Sequence, residues 1–283
     1  RSIRPVRWEV PPDDRNRLHC TTLYLLHDAQ VTAMLSDLLM RRYRLGLWRK
    51  LCPVHARVVP QCGYTLGVMD ITKALTRLNG SGNDPVFLLL HGWGSNELDL
   101  PDLLRYCGAG SADFVSLRAP IAYGMGFTWF GEWAHEGVPE GCSLTRQAYD
   151  AADAVNRWVE ANVNGSRPII TMGFSQGGLL ATHMLRFDPK RYAAAISFSG
   201  WLAPGSLPGD KALESAQPPV FYGHGSADVI FPTQDVLAMS SFWRRHGTLS
   251  EHIYSGMGHS INMDELRDVQ RFLESNNLIR PQM

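Results

Sequence analysis

Residues 169–180 read I-I-T-M-G-F-S-Q-G-G-L-L, an apolar run that ends at a serine set between glycines. Two roles of Ser175 fit that spacing. As an ordinary helix N-cap it would accept a backbone N–H, with Gly173 and Gly177 serving the turn. As the centre of a G-x-S-x-G turn between a strand and a helix it would present a nucleophilic hydroxyl. A Cβ at either glycine would then crowd the two elements. A serine hydroxyl attacks a carbonyl only when a base takes its proton, so the second role needs a histidine and an acid, which after a strand–turn–helix elbow of this kind are expected later in the chain, the acid first. "GHGSADVIFP" (223–232) and "GMGHS" (256–260) each follow an apolar run and supply them: Asp228 as the acid, His259 as the base. Asp235 reads more naturally as a first-turn helix acid, and Asp264 and Asp268 as solvent-face residues of the last helix. His224, His246 and His252 read as structural or exposed. An oxyanion intermediate needs N–H donors. The backbone of Gln176, directly after the serine, is one; Trp93 in "LLLHGWGSNELDL" (88–100) is the other, with His91 supporting that loop.

These residues need a scaffold that brings strand ends together. Val86–Leu90, Phe114–Leu117, Ile169–Met172, Ala193–Phe198, Val220–Tyr222 and His252–Tyr254 read as strands, several of them continuously apolar, as strands covered on both faces are. Between them lie helical windows. In Thr145–Asn162, Ala148, Ala151, Ala152, Val155, Trp158 and Val159 share one face. A helix over Gln176–Phe187 follows the serine, and others span Thr233–His246 and Met263–Ser275. Strand and helix in alternation predict an α/β fold, a mostly parallel central sheet with helices on both faces, whose reactive groups collect at the carboxyl ends of the strands.

Composition bounds the function classes. The chain has 283 residues, 45% of them hydrophobic, and a formal net charge of zero, which suits one large packed domain and gives no electrostatic reason to expect nucleic acid. No apolar stretch reaches the roughly 18 residues of a membrane span. Five scattered cysteines without metal-ligand spacing predict free thiols in a reducing, cytoplasmic setting and no metal site. Charge is uneven: residues 1–62 hold eleven Lys+Arg against five Asp+Glu, leaving sixteen against twenty-two for the rest. That segment reads as a basic N-terminal extension, either poorly ordered or carrying one helix. Its stripe of Leu23, Leu26, Met34, Leu35, Leu38 and Leu39 ends in Arg41, Arg42 and Arg44, which would suit a membrane surface or a partner. Residues 64–283 read as the catalytic domain.

Together, "FLLLHGWGSNELDL", "RAPIAYGMGFTWFGEW", "GFSQGG", "GHGSADVIFP" and "GMGHS" resemble the α/β-hydrolase superfamily and, within it, the phospholipase/carboxylesterase group that includes acyl-protein thioesterases, over residues 64–276. The resemblance implies an α/β-hydrolase fold, hydrolysis of carboxylic esters of small or acyl-chain substrates, no cofactor, and the same assignments: Ser175, Asp228 and His259, with backbone donors at Trp93 and Gln176. "HGWGSNELDL" resembles the bacterial carboxylesterase type more than the eukaryotic thioesterase type. The aromatic stretch "GMGFTWFGEW" (124–133) is either a local core or the wall of an acyl pocket. The expectation is that at least one of Trp129 and Phe130 lines a groove beside Ser175.

Overall fold

The computed structural model describes residues 69–79, 84–131, 144–231 and 233–279. The basic segment 1–62, Trp133 and four of the five cysteines lie outside the described residues.

Apolar runs of the right length build the sheet. Strands β1 (Ala74–Arg77), β2 (Val86–Leu90), β3 (Asp113–Leu117), β6 (Ile169–Phe174), β7 (Tyr192–Phe198), β8 (Pro219–Gly225) and β9 (Thr248–Tyr254) form one seven-stranded sheet in the order β1-β3-β2-β6-β7-β8-β9. All pairings are parallel except β1 with β3. A small hairpin, β4 (Ile121–Tyr123) with β5 (Gly126–Thr128), stands apart and touches the loop after β2 through a bridge from Phe127 to Ser95. The helices are α1 (Leu144–Asn162), α2 (Gln176–Phe187), α3 (Asp210–Ala216), α4 (Thr233–His246) and α5 (Met263–Ser275), with a 3-10 helix at Pro101–Cys107.

The period-2 alternation of side chains splits the core between the two faces of the sheet. Val86, Leu88 and Leu90 of β2 join one cluster, with the alanine-rich stripe of α1, Leu179 and Leu180 of α2, and Trp243 of α4. Phe87 and Leu89 join the other, with Leu266, Val269 and Phe272 of α5 and Leu104 and Cys107 of the 3-10 helix. Burial on both faces explains why these strands read as unbroken apolar runs. Among the described residues no helix is long and apolar enough to cross a membrane.

The sequence reading misses β1, the β4–β5 hairpin, α3 and the 3-10 helix. Each is short, and β1 (Ala-Leu-Thr-Arg) is at most half-buried, so it lacks the apolar run that marks the other strands.

Candidate active site

Ser175 sits between β6 and α2 with φ 55° and ψ −115°, a conformation unfavourable to any L-residue. The surroundings enforce it. A Cβ on Gly173 would lie 2.0 Å from the Gly177 carbonyl oxygen, and one on Gly177 would lie 1.9 Å from that of Leu90. Only glycine permits strand, turn and helix to pack that closely against the end of β2. The Ser175 N–H donates to the Phe198 carbonyl at 2.8 Å, tying the turn to β7. Its side chain makes no N-cap hydrogen bond; the hydroxyl instead lies 2.8 Å from His259 Nε2.

His259 arrives on the loop after β9 and Asp228 on the loop after β8. Backbone bonds join these loops: Ser226 N–H to Tyr254 O and Ala227 N–H to Met257 O, both at 2.9 Å. They deliver His259 Nδ1 to 2.7 Å from Asp228 Oδ2. The Asp228 side chain is fully buried, and its Oδ1 accepts the Ile230 N–H at 2.8 Å. Burial pushes its carboxyl upward, but the bond and charge of His259, with the Ile230 N–H, outweigh that, and the net shift is downward. The acid therefore stays ionised beside the imidazole. The rings of Phe174 and Phe231 pack near His259, with centroids 4.9 and 5.3 Å away.

Ser175 and His259 open on a cavity of about 310 Å³ lined also by Gly92, Trp93, Ser95, Asp99, Phe174 and Ile230. Trp93 is thus beside the serine, and Gln176, as the first residue of α2, has no intrahelical acceptor for its N–H. The loop that carries Trp93 is braced from below. His91 Nδ1 lies 2.7 Å from the Gly92 oxygen, and its Nε2 accepts the Ala119 N–H at 3.1 Å, which assigns Nδ1 as the protonated nitrogen. Burial lowers the His91 pKa, so the ring stays neutral in this bracing role.

Trp129 and Phe130 do not line the cavity. Both are fully buried in the core beside α1 and α2, so the groove-wall expectation is corrected to the core alternative. Polar tethers fix them there. The Gln176 side chain accepts from Thr128 Oγ1 and the Trp129 N–H and donates to the Phe130 carbonyl, while Trp129 Nε1 donates to the His91 carbonyl at 2.9 Å. The cavity residues not anticipated, Ser95, Asp99, Phe174 and Ile230, all stand inside the motifs quoted for other reasons. Their proximity to Ser175, His91 or Asp228 was the signal available.

Glu97, only 2% exposed, anchors the same loop through a bidentate bond from Arg118 at 2.6 and 2.7 Å and a longer contact from Lys73. The Arg118 bond, ahead of the opposing effect of burial, holds the Glu97 pKa near about 2. Since that value lies below the unfolded one, the stabilisation is present above pH ~4.5 and is lost as pH falls through about 2. Glu97→Gln is expected to lower unfolding stability at pH 7 by about 1–3 kcal/mol, below the full cost of breaking a buried pair because both cations reach solvent. Urea titrations at pH 7 and pH 3 should show the gap between variant and wild type narrowing at the lower pH; a gap independent of pH would rule out the ionic origin.

Among the described residues no group of three or more His, Cys, Asp or Glu side chains is placed to hold a metal ion.

The family model for phospholipase/carboxylesterase matches residues 78–277. Acyl-protein thioesterase 1 of Kluyveromyces lactis is 27% identical over 208 residues, covering 66% of this chain and 90% of that protein. Acyl-protein thioesterase 1 of Eremothecium gossypii is 29% identical over 210 residues, covering 67% and 87%. The crystal structure of the Bacillus cereus carboxylesterase superposes with a TM-score of 0.58 at 19% identity, covering 72% of this chain and 93% of that one, a likeness of fold. With a matching family model over most of the sheet and the fold shared with a carboxylesterase, the chain belongs to the phospholipase/carboxylesterase family of serine hydrolases, built on the α/β-hydrolase fold.

Proposed function

We propose that this protein is a serine carboxylesterase that needs no cofactor and hydrolyses small-molecule esters through an acyl-enzyme. The observation that carries the reading is the unbroken contact from Ser175 Oγ through His259 to Asp228, at 2.8 and 2.7 Å, opening on one cavity. His259 Nε2 takes the hydroxyl proton as Ser175 Oγ bonds to the ester carbonyl carbon. Asp228 accepts the Nδ1–H of the imidazolium that results. The backbone N–H groups of Trp93 and Gln176 are assigned to the oxyanion. The intermediate collapses as the C–O bond to the alcohol breaks and His259 returns the proton to that oxygen. Water then repeats the sequence against the acyl-serine: His259 takes its proton, the acid leaves, and the proton passes back to Ser175.

A cavity of about 310 Å³ lies at the lower end of the usual range for ligand sites, which favours small or short-chain groups over long acyl chains. The second reading is thioester hydrolysis, favoured by the names of the two fungal relatives. Only the leaving atom differs. Labelling with a fluorophosphonate, with the modified peptide mapped by mass spectrometry, is expected to place the label on Ser175 and to find none on Ser175→Ala. An unlabelled, folded wild type would remove the activated nucleophile. Matched oxygen and thio esters of two to sixteen carbons then divide the readings: the carboxylesterase reading expects short oxygen esters to have the highest kcat/KM.

A further inference from the structure

We propose that His224 is a positioning residue for the Asp228–His259 pair, a neutral imidazole whose Nε2–H faces the same carboxylate oxygen that holds His259. The proposal rests on the esterase reading above. His224 is 4% exposed, and its Nε2 lies 3.7 Å from Asp228 Oδ2, the atom that is 2.7 Å from His259 Nδ1. On its other side, Nδ1 lies 3.5 Å from the Tyr222 hydroxyl. The two contacts select one tautomer. With the proton on Nδ1, the Nε2 lone pair would confront the carboxylate; with the proton on Nε2, the ring points its positive end at Oδ2 and the Tyr222 O–H can donate to Nδ1.

The groups facing His224 are Tyr222 on its own strand, Asp228 on the loop after β8 and His259 on the loop after β9. Burial lowers the His224 pKa first; Asp228 opposes that and His259 reinforces it. Burial, with nearby carboxylates, raises that of Tyr222. Burial thus favours the uncharged forms of both the imidazole and the phenol. A neutral neighbour can hold Asp228 in place without competing for its charge. A protonated His224 would compete, because one carboxylate would then face two cations.

The Nε2–H, at 3.7 Å too far for a hydrogen bond but near enough to offset part of the Oδ2 charge, is lost on substitution by leucine, and more of that charge then faces His259. His224→Leu is therefore expected to move the acid limb of kcat/KM upward by roughly 0.3–0.5 pH unit and to lower kcat about 3–10-fold with little change in KM. His224→Gln, whose Nε2 reaches the same place, should restore the limb and bring kcat to within about 3-fold of wild type. Tyr222→Phe should shift the limb in the same direction by a smaller amount, and keeps the test open if His224→Leu does not fold. Proton NMR of the hydrogen between His259 Nδ1 and Asp228 is read in parallel and needs no substrate; its resonance should move in His224→Leu and return in His224→Gln. Limbs and resonances identical to wild type in all folded variants would overturn the proposal. A wild type inactive on every ester would instead count against the esterase reading, with the resonance still reporting on His224.

Discussion

Ser175→Ala is expected to lower kcat for ester hydrolysis by roughly 10⁵-fold or more, with the fold intact, because the covalent route disappears with the hydroxyl. The expected retention of structure comes from the turn itself. Its conformation is enforced by the glycine contacts with Leu90 and Gly177 and by the Ser175 N–H bond to Phe198, none of which uses the side chain. His259→Ala should cost a similar factor. Asp228→Asn should cost about 10⁴-fold, since an amide facing Nδ1 favours the wrong tautomer of His259. The double variant Ser175→Ala/His259→Ala should be no slower than the single ones, because the two groups act as a unit. Initial rates on a chromogenic short-chain ester, with circular dichroism as the folding control, decide it. More than about 1% of the wild-type rate in Ser175→Ala would remove Ser175 from the chemistry.

The second large effect concerns stability and lies at Glu265. Asn262 caps α5, its side chain accepting the Glu265 N–H at 2.9 Å. A glutamate at that position commonly reaches back to bond the cap residue's own N–H. Here the side chain is fully buried, neither carboxyl oxygen makes a well-formed hydrogen bond, the Asn262 N–H reaching it only as a weak opposing influence, and the group lies against Gly223, where a Cβ would meet Oε1 at 1.9 Å. Burial, with repulsion from Asp268 and against the Asn262 backbone bond, pushes its pKa up to about 8. The folded protein therefore holds a proton that the unfolded chain releases above pH ~4.5. The contribution of this one group to stability falls as pH rises between those values, at up to about 1.4 kcal/mol per unit, against the buried histidines, whose lowered pKa values act in the opposite direction.

Glu265→Met, similar in volume and free of the carboxyl, is expected to flatten that slope. At pH 8 it should unfold about 2–4 kcal/mol later than wild type, with a much smaller gain at pH 5. Glu265→Gln should flatten the slope too but gain less, because its amide stays unpaired. Urea unfolding at pH 5, 6, 7 and 8 measures both. A wild type as stable at pH 8 as at pH 5, with Glu265→Met offering no gain, would mean that the carboxyl finds a partner in solution. The residue stands six positions after His259, so a helix start carrying this cost supports the loop that holds the proposed base.

Much of the fold was legible because burial on both faces of a parallel sheet leaves apolar runs that need no tertiary knowledge to find. The four long helices were legible as helical windows, α1 from its alanine-rich stripe, and α4 and α5 to the residue. Elements of three or four residues were not, since β1 and the β4–β5 hairpin owe their strand conformation to partners distant in sequence.

By itself the sequence determined the strand, turn and helix around Ser175, because glycine spacing and apolar runs are local. It also determined where the candidate acid and base stand, each directly past an apolar run that reads as a strand, because such runs are local too. Tertiary structure decided what local pattern cannot encode. Asp228, rather than Asp235, Asp264 or Asp268, meets His259 because the loops after β8 and β9 are joined by backbone hydrogen bonds. Trp129 and Phe130 went to the core because Gln176 and the His91 carbonyl satisfy the polar groups that accompany them. Glu265 and His224 are ordinary polar letters in the sequence. Only packing against Gly223 and beside Asp228 removes them from water, and it is that loss of solvent that gives one its cost and the other its proposed role.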